Sequence, residues 1–331
     1  MALKTTKFIW MDGKFVKWQD AKVHVLTHAL HYGSAVFEGI HSYKTNKGIA
    51  IFRLSDHINR FFHSAKALSM KLKFNKQELK NAIKKIIKIN KVSDAYIRPI
   101  AYYGYGTIGV FPKDVPTNVA LITVPWEHYY SKDLRVMTSS FIRHSKRETI
   151  FGTKISGNYA NSILAMYEAR KKGYDEALML DNDSYVAEGP AENIFIVKSD
   201  RSKASGELKN SRMRVSEANS LTTNKFLSNK KLITPNSRSA LHGMTRKSIL
   251  EISKDLGIKA YEKKVTLNEV RNADEVFFCG TATEVAPIVS IDGKKIGNGK
   301  IGEITSRVRD KYYNVVRGKD KKYEKWLTFI D

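Results

Sequence analysis

Apolar positions along the chain recur in two rhythms, every second residue in short stretches and every third or fourth in longer ones, which predicts strands interleaved with amphipathic helices. Phe8–Met11 and Lys14–Trp18 flank Asp12-Gly13, a hairpin-turn dipeptide, and predict an opening β-hairpin. Ile49–Leu54 predicts a strand, after which Ser55 is expected to cap a helix with apolar positions Ile58, Phe61, Phe62, Ala65 and Leu68. A second helix is predicted from Asn75, with Glu78 as its capping-box partner. Its buried stripe is Leu79, Ile83, Ile86 and Ile87, and its lysines face water. Tyr96–Ala101 and Val119–Val124 predict further strands, with Pro112 and Pro116 punctuating the loop between them.

Pro125–Lys132 marks a boundary, and a second series of elements follows. Leu134–Ser139 predicts a strand, and Asn158–Lys172 a helix ended by Gly173. Glu176–Leu180 and Asn193–Lys198 are apolar strands joined through Asp181–Asp183 and Tyr185-Val-Ala-Glu-Gly189. Thr245–Leu256 predicts a helix stopped by Gly257, and Glu275–Cys279 a strand entering Gly280-Thr-Ala-Thr283. No internal repeat is visible. Ser199–Lys230 is rich in Ser, Asn, Lys and Arg and poor in apolar residues, so a long, solvated and mobile insertion is expected there.

Composition narrows the class. The chain has 331 residues, 42% of them hydrophobic, enough for two cores. No run approaches the ~18 apolar residues of a membrane span, and residues 1–18 lack the apolar centre of a signal peptide. A single cysteine, Cys279, excludes an internal disulfide and a cysteine-based zinc site. These features lead us to expect a soluble cytoplasmic protein with no metal. The net charge of +24 raises the alternative of a nucleic-acid-binding protein. The lysines, however, are scattered over helical faces and do not alternate with aromatics on a strand, so a lysine-rich surface and no nucleic-acid partner are expected.

Five features carry candidate chemistry, and each has a bland alternative. Lys154 lies in Thr153-Lys-Ile-Ser-Gly-Asn-Tyr159, where Ser156 and Gly157 would let backbone approach a flat cofactor. A lysine can form an imine with an aldehyde only if it can lose its proton; a surface lysine before a helix is the plain reading. Glu188 precedes Gly189 and could hold a protonated ring nitrogen, or simply occupy a turn. Leu241-His-Gly-Met-Thr245 runs straight into a helix, and Gly280-Thr-Ala282 follows a strand. Both could bind an anion through backbone N–H groups, or serve only as cap and turn. Arg60 could add a guanidinium, or be solvated.

Taken together and in order, His28-Ala-Leu-His-Tyr-Gly33, Phe37-Glu-Gly-Ile40, His57-Ile-Asn-Arg60, Tyr96-Ile-Arg-Pro99, Lys154 to Tyr159, Glu188-Gly189 with Glu192-Asn193, Gly243-Met-Thr-Arg246 and Gly280-Thr-Ala282 resemble the class-IV aminotransferases, most closely the branched-chain amino acid aminotransferases. The resemblance spans nearly the whole chain apart from Ser199–Lys230. It implies an α/β (α+β) fold of two domains: a small α/β domain over 1–124, an interdomain loop over 125–133, and a large cofactor-binding domain with a pseudo-barrel over 134–331. It implies pyridoxal 5'-phosphate as cofactor and an amino-group transfer from leucine, isoleucine or valine to 2-oxoglutarate through a Schiff base.

By the same resemblance Lys154 would carry the cofactor and shuttle the proton. Arg60, Thr245, the Met244 amide and Thr281 would hold the phosphate. Glu188 would pair with the pyridine nitrogen, Tyr159 with the ring hydroxyl, and Leu241 would pack on the ring face. Tyr96 with the Thr281 and Ala282 amides would bind the substrate α-carboxylate. Phe37, Trp126, Tyr129 and, from a neighbouring subunit of a homodimer or higher homo-oligomer, Tyr32 and Val110 would wall the side-chain pocket. Arg98 would receive the γ-carboxylate of glutamate.

Three features depart from the family pattern. His41 stands where arginine is usual, so an ion pair there is weakened or pH-dependent, His242 replaces a proline before Gly243 and loosens the phosphate turn, and Ser199–Lys230 replaces what is normally a short hairpin between strands. Other class-IV activities, a D-amino acid aminotransferase or an aminodeoxychorismate lyase, share the lysine and the phosphate grip. Tyr96-Ile-Arg-Pro99 with Trp126 and Tyr129 favours the branched-chain group, and Pro99 and Ile100 after Arg98 leave no arginine–X–histidine carboxylate trap.

Overall fold

A computed structural model of the chain describes residues 3–126, 133–145, 147–199, 229–236 and 238–330. It resolves into two compact units, one of Met1–Tyr129, Lys146–Ile163 and Tyr313–Asp331 and the other of Tyr130–Ser145 and Leu164–Tyr312. The partition differs from a single cut at 125–133. Residues 146–163 join the first unit because the Lys154 N–H donates to Ser64 Oγ at 2.9 Å and Phe37 N–H to the Lys154 carbonyl at 3.1 Å. The C-terminal strand Leu327–Phe329 joins it by pairing with Ala50–Phe52. Most of the expected Ser199–Lys230 insertion, and Tyr129, lie outside the described residues.

In the first unit, β1 (Phe8–Met11), β2 (Lys14–Lys17), β3 (Ala35–Phe37), β4 (Ile40–Thr45), β5 (Gly48–Phe52), β6 (Ala95–Tyr103) and β7 (Thr117–Pro125) form a sheet with the C-terminal strand. Its order is C-terminal strand, β5, β4, β6, β7, β1, β2, with β3 also on β6. The expected hairpin around Asp12-Gly13 is β1–β2. Three helices belong to this unit: α1 (His28–Tyr32), α2 (Leu54–Ala67) and α3 (Lys76–Asn90). Strand periodicity divides the sheet: Val36, Ile40, Ala95 and Ile97 enter a core with Ile58, Phe61, Leu79, Ile83, Ile86 and Ile87. Their neighbours Phe37, His41, Tyr96 and Arg98 therefore take the opposite face.

The α3 start is as expected: Asn75 Oδ1 accepts from the Gln77 and Glu78 amides, while Glu78 Oε2 accepts from Asn75 N–H at 2.6 Å. The α2 start is not. The helix begins at Leu54 rather than after Ser55, and Arg53 precedes it in a left-handed conformation (φ 49°) with no side-chain cap. The C-terminal segment imposes this turn. Arg53 N–H donates to the Trp326 carbonyl at 2.7 Å, and the Arg53 guanidinium lies 3.8 Å from the Trp326 ring.

In the second unit, β8 (Leu134–Thr138), β9 (Glu176–Leu180), β10 (Val186–Glu188), β11 (Asn193–Ser199), β12 (Lys230–Pro235), β13 (Lys259–Lys263), β14 (Glu275–Gly280) and β15 (Glu284–Ile291) order as β10-β9-β8-β15-β14-β11-β12-β13, with β16 (Lys294–Lys295) on β15. β8 runs parallel to both neighbours, and β12 parallel to β13. The central strands bury continuous apolar runs such as Ile194-Phe-Ile-Val197 and Val276-Phe-Phe278, as expected of strands covered on both faces. Among the described residues the helices are α4 (Tyr159–Lys171, whose first turns count with the first unit), α5 (Met244–Asp255), α6 (Leu267–Arg271) and α7 (Glu303–Val316, whose last turn counts with the first unit). Glu275 caps α7 from outside, accepting from the Ile304 and Thr305 amides at 3.1 and 2.7 Å.

Candidate active site

Lys154 is the natural starting point, because it is the one lysine in the buried set of the described residues. Its Nζ donates to the Tyr159 hydroxyl at 2.5 Å and lies 4.6 Å from the Phe37 ring. The Phe37 and Tyr159 rings meet edge to face at 4.8 Å, so the amine sits among apolar edges with one polar partner. Burial lowers its pKa, the Arg60 charge lowers it further, and Glu38 and Tyr96 oppose, leaving it at about 8. Such an amine gives up its proton far more readily than an exposed lysine, as a nucleophilic lysine requires. The backbone approach expected at Gly157 is to another glycine: Gly157 N–H donates to the Gly33 carbonyl, and a Cβ on Gly33 would stand 2.6 Å from Gly157 Cα.

The motif Phe37-Glu-Gly is explained residue by residue. Phe37 faces the amine, while Glu38 points into the opposite layer and is fully buried. There it takes Arg60 Nε–H and Nη2–H at 2.6 and 2.8 Å and the His57 Nδ1–H at 2.8 Å. Burial alone would raise the Glu38 carboxyl, but the Arg60 and His57 contacts hold it well below the usual carboxylate range. Arg60 is thus a fixed charge rather than a solvated arginine. In the sequence Glu38 stands only as part of a motif, with nothing to assign it a role.

Gly39 makes room for Tyr96, since a Cβ there would fall 2.0 Å from the Tyr96 hydroxyl. That hydroxyl accepts from Arg98 Nη2–H at 3.0 Å, and the Tyr96 ring packs on Trp126 at 5.0 Å. The Gly39→Ala variant should therefore displace Tyr96, with overpacking costing about 1–3 kcal/mol in stability. A melting curve checks this, and an unchanged melting temperature would show that the strand shifts to accommodate the methyl group.

Arg98 lies over Phe37 and Tyr96, its guanidinium carbon 4.7 and 5.1 Å from their ring centres. Its Nε is buried without a hydrogen-bond partner. Among the described residues no carboxylate pairs with it. His41, next to Tyr96 in the β4–β6 register, stacks on Tyr43 at 4.2 Å. Aromatic packing thus holds the histidine that stands in for the usual arginine.

The second unit assembles its own cluster around Glu188, at the end of β10 and 3% exposed. Arg143 Nη2–H donates to Oε1 at 2.7 Å, while Oε2 accepts from Asn193 Nδ2 at 2.9 Å and from the Leu241 amide at 3.0 Å. Both carboxylate oxygens are thereby held by donors. Sequence reasoning misses Arg143 altogether, because a lone arginine 45 positions from its partner leaves no spacing signal. Thr245 is buried in the first turn of α5, a 12-residue helix opening at Met244, and Leu241 is half-buried. Exposed His242 stands in the turn before it. Thr281 and Ala282 are half-buried between β14 and β15, next to Thr283, whose hydroxyl donates to Glu192 at 3.2 Å. Burial, followed by the nearby Glu176 charge, pushes the Glu192 carboxyl well above the usual carboxylate range.

Tyr32 and Val110 occupy an exposed apolar stretch of the first unit. Val25, Leu30, Tyr105, Ile108, Val110 and Phe111 are each 59–78% exposed, and Tyr32 42%. Buried His28 supports it, its Nε2–H directed to the Gly109 and Val110 carbonyls and its Nδ1 accepting from Ser34. No helix among the described residues is long and apolar enough to cross a membrane.

The donor set suits a phosphorylated pyridine aldehyde in kind: a buried amine of lowered pKa, a carboxylate for a ring nitrogen, a helix N-terminus and a fixed guanidinium for a phosphate. Comparison with known proteins agrees. A family model described as amino-transferase class IV matches residues 35–291. The branched-chain-amino-acid aminotransferase of Pseudomonas aeruginosa is 38% identical over 97% of each chain, and that of Escherichia coli K12 is 35% identical over the full length of both. Among solved structures, the branched-chain amino acid aminotransferase of Thermobaculum terrenum in its PLP-form is 31% identical, with a TM-score of 0.85 over 99% of each chain. The chain therefore belongs to the class-IV aminotransferases.

Proposed function

We propose that the protein is a pyridoxal-phosphate-dependent branched-chain amino acid transaminase, passing the amino group of L-leucine, L-isoleucine or L-valine to 2-oxoglutarate. Full-length likeness to enzymes of that name supports the reaction. When bound, the cofactor supplies the electron sink that makes the substrate Cα proton removable. In this proposal Lys154 binds it covalently and moves that proton. Tyr159 holds the ring hydroxyl, and Glu188 keeps the ring nitrogen protonated. Leu241 packs on the ring face, and Arg60, Met244, Thr245 and Thr281 hold the phosphate. Tyr96, Thr281 and Ala282 take the substrate α-carboxylate. Phe37, Trp126 and Tyr129 wall the substrate side chain, with Tyr32 and Val110 from a second copy. The exposed apolar stretch around Val110 supports a homodimer, since a patch of that kind is rarely left in water. The cytoplasm is the expected setting.

The observation that carries the substrate class is the Arg98 guanidinium, laid between aromatic faces without a carboxylate of its own. Such a surface buries an apolar side chain and still offers a charge to an acidic one, as a leucine–glutamate exchange demands. Initial rates with a panel of L- and D-amino acids against 2-oxoglutarate test the proposal. Activity confined to D-amino acids would overturn the branched-chain assignment.

Arg98→Leu tests the carrier directly. It should raise the Michaelis constant for glutamate and 2-oxoglutarate roughly tenfold to hundredfold, the worth of a lost charge-assisted hydrogen bond. Leucine, with no side-chain carboxylate, should change little. Single-turnover rates of the two half-reactions separate these effects. Equal losses for both amino acids would place Arg98 at the α-carboxylate or in the scaffold.

A further inference from the structure

Asn193 opens β11 opposite Cys279 of β14 and is 6% exposed. Its side chain uses both ends. Nδ2 donates to Glu188 Oε2 at 2.9 Å and to the Leu241 carbonyl at 2.7 Å, while Oδ1 accepts from Gly243 N–H at 3.2 Å. The amide orientation is forced, because its two nitrogen-side neighbours can only accept and its oxygen-side neighbour can only donate. Gly243 is the N-cap of α5 and offers no side-chain cap. A Cβ at Gly243 would fall 2.1 Å from Asn193 Oδ1, so the glycine is what allows this close approach. Glu188 itself takes the Leu241 amide at 3.0 Å. The turn entering α5 is consequently tied at three backbone atoms to two adjacent side chains.

We infer that Asn193 is a positioning residue that locks the Glu188 carboxylate and the turn at the start of α5 into one rigid register, so that a ring nitrogen and a phosphate on the same ligand are gripped by a single unit. This rests on the assignment of Glu188 to the ring nitrogen and of Met244 and Thr245 to the phosphate. Asn193 touches neither group, and it acts by fixing what does. Loss of the amide frees the turn and lets the carboxylate reorient at once, whereas an ordinary buried hydrogen bond would affect stability alone.

The experiment compares apoprotein affinity for pyridoxal phosphate with that for phosphate-free pyridoxal, and follows the pH titration of the bound cofactor's visible absorbance. In Asn193→Ala the affinity ratio of phosphorylated to phosphate-free cofactor should fall roughly tenfold or more, the scale of two or three lost hydrogen bonds, and the absorbance midpoint should move. Asn193→Asp keeps an oxygen for Gly243 N–H, and Glu188 keeps the Leu241 amide, but an acceptor now faces both Glu188 Oε2 and the Leu241 carbonyl. It should largely keep the affinity ratio and still shift the midpoint, and it decides the matter if the alanine variant does not fold. Equal losses for both cofactors with an unmoved midpoint would overturn the inference and leave Asn193 a stabilising residue only. Failure of the unaltered protein to take up pyridoxal phosphate would overturn the cofactor assignment itself, and this inference with it.

Discussion

Lys154→Ala should abolish turnover while leaving a folded protein that binds cofactor non-covalently. The amine is buried, its hydroxyl partner is Tyr159, and its surroundings are the Phe37 and Tyr159 rings. Desolvation, reinforced by Arg60, brings its pKa down to about 8 from the 10.5 of an exposed lysine. The neutral amine therefore becomes the major form as pH rises through about 8. Covalent capture of pyridoxal phosphate by the apoprotein should accelerate over that interval. Alanine removes both the covalent attachment and the group that moves the Cα proton, and among the described residues no second lysine is buried to replace it. Visible absorbance of the bound cofactor and single-turnover rates with leucine are the measurements. Substantial activity in the variant would overturn the mechanism, and a pH-independent capture rate would contradict the lowered pKa.

The elements and candidate site residues divide into those legible in the sequence and those that are not. The Asn75–Glu78 box and the α3 stripe are local, so propensity and period suffice to find them. Lys154 and Glu188 stand in specific local contexts, and their positions are readable once the ordered motifs are taken together. Their supports are not. Glu38 meets Arg60 across 22 positions, and Arg143 meets Glu188 across 45, with nothing periodic between. A pair of that kind exists only after two elements have packed. The same holds for the start of α2: Ser55 looks like a cap, but Trp326, just before the C-terminal strand, dictates the turn by holding the Arg53 backbone and side chain. Tertiary contacts outweigh a capping preference worth about 1 kcal/mol. A cut at 125–133 does not by itself describe the compact units for a related reason, because β5 recruits a strand from the far end of the chain.

Glu188→Gln should cost more than its small change in shape implies. Both carboxylate oxygens accept, one from Arg143 and the other from Asn193 and Leu241. A glutamine must turn its NH2 toward one of these donors, so at least one contact becomes donor against donor. Arg143, with its side chain 10% exposed, then loses its counter-charge. Breaking a buried pair by removing one partner destabilises by about 3–5 kcal/mol, and the apoprotein should melt correspondingly earlier. The kinetic loss is separate. A neutral amide does not favour a protonated ring nitrogen, so the developing negative charge on the substrate loses its sink. Turnover should fall on the order of a hundredfold to a thousandfold, the scale seen when one preorganised electrostatic contact is removed from a transition state. A Glu188→Gln, Arg143→Met double variant separates the two effects. Removing the guanidinium as well should recover much of the stability and none of the rate. Recovery of the rate as well would mean that Glu188 matters only as the partner of Arg143, and that another group holds the ring nitrogen.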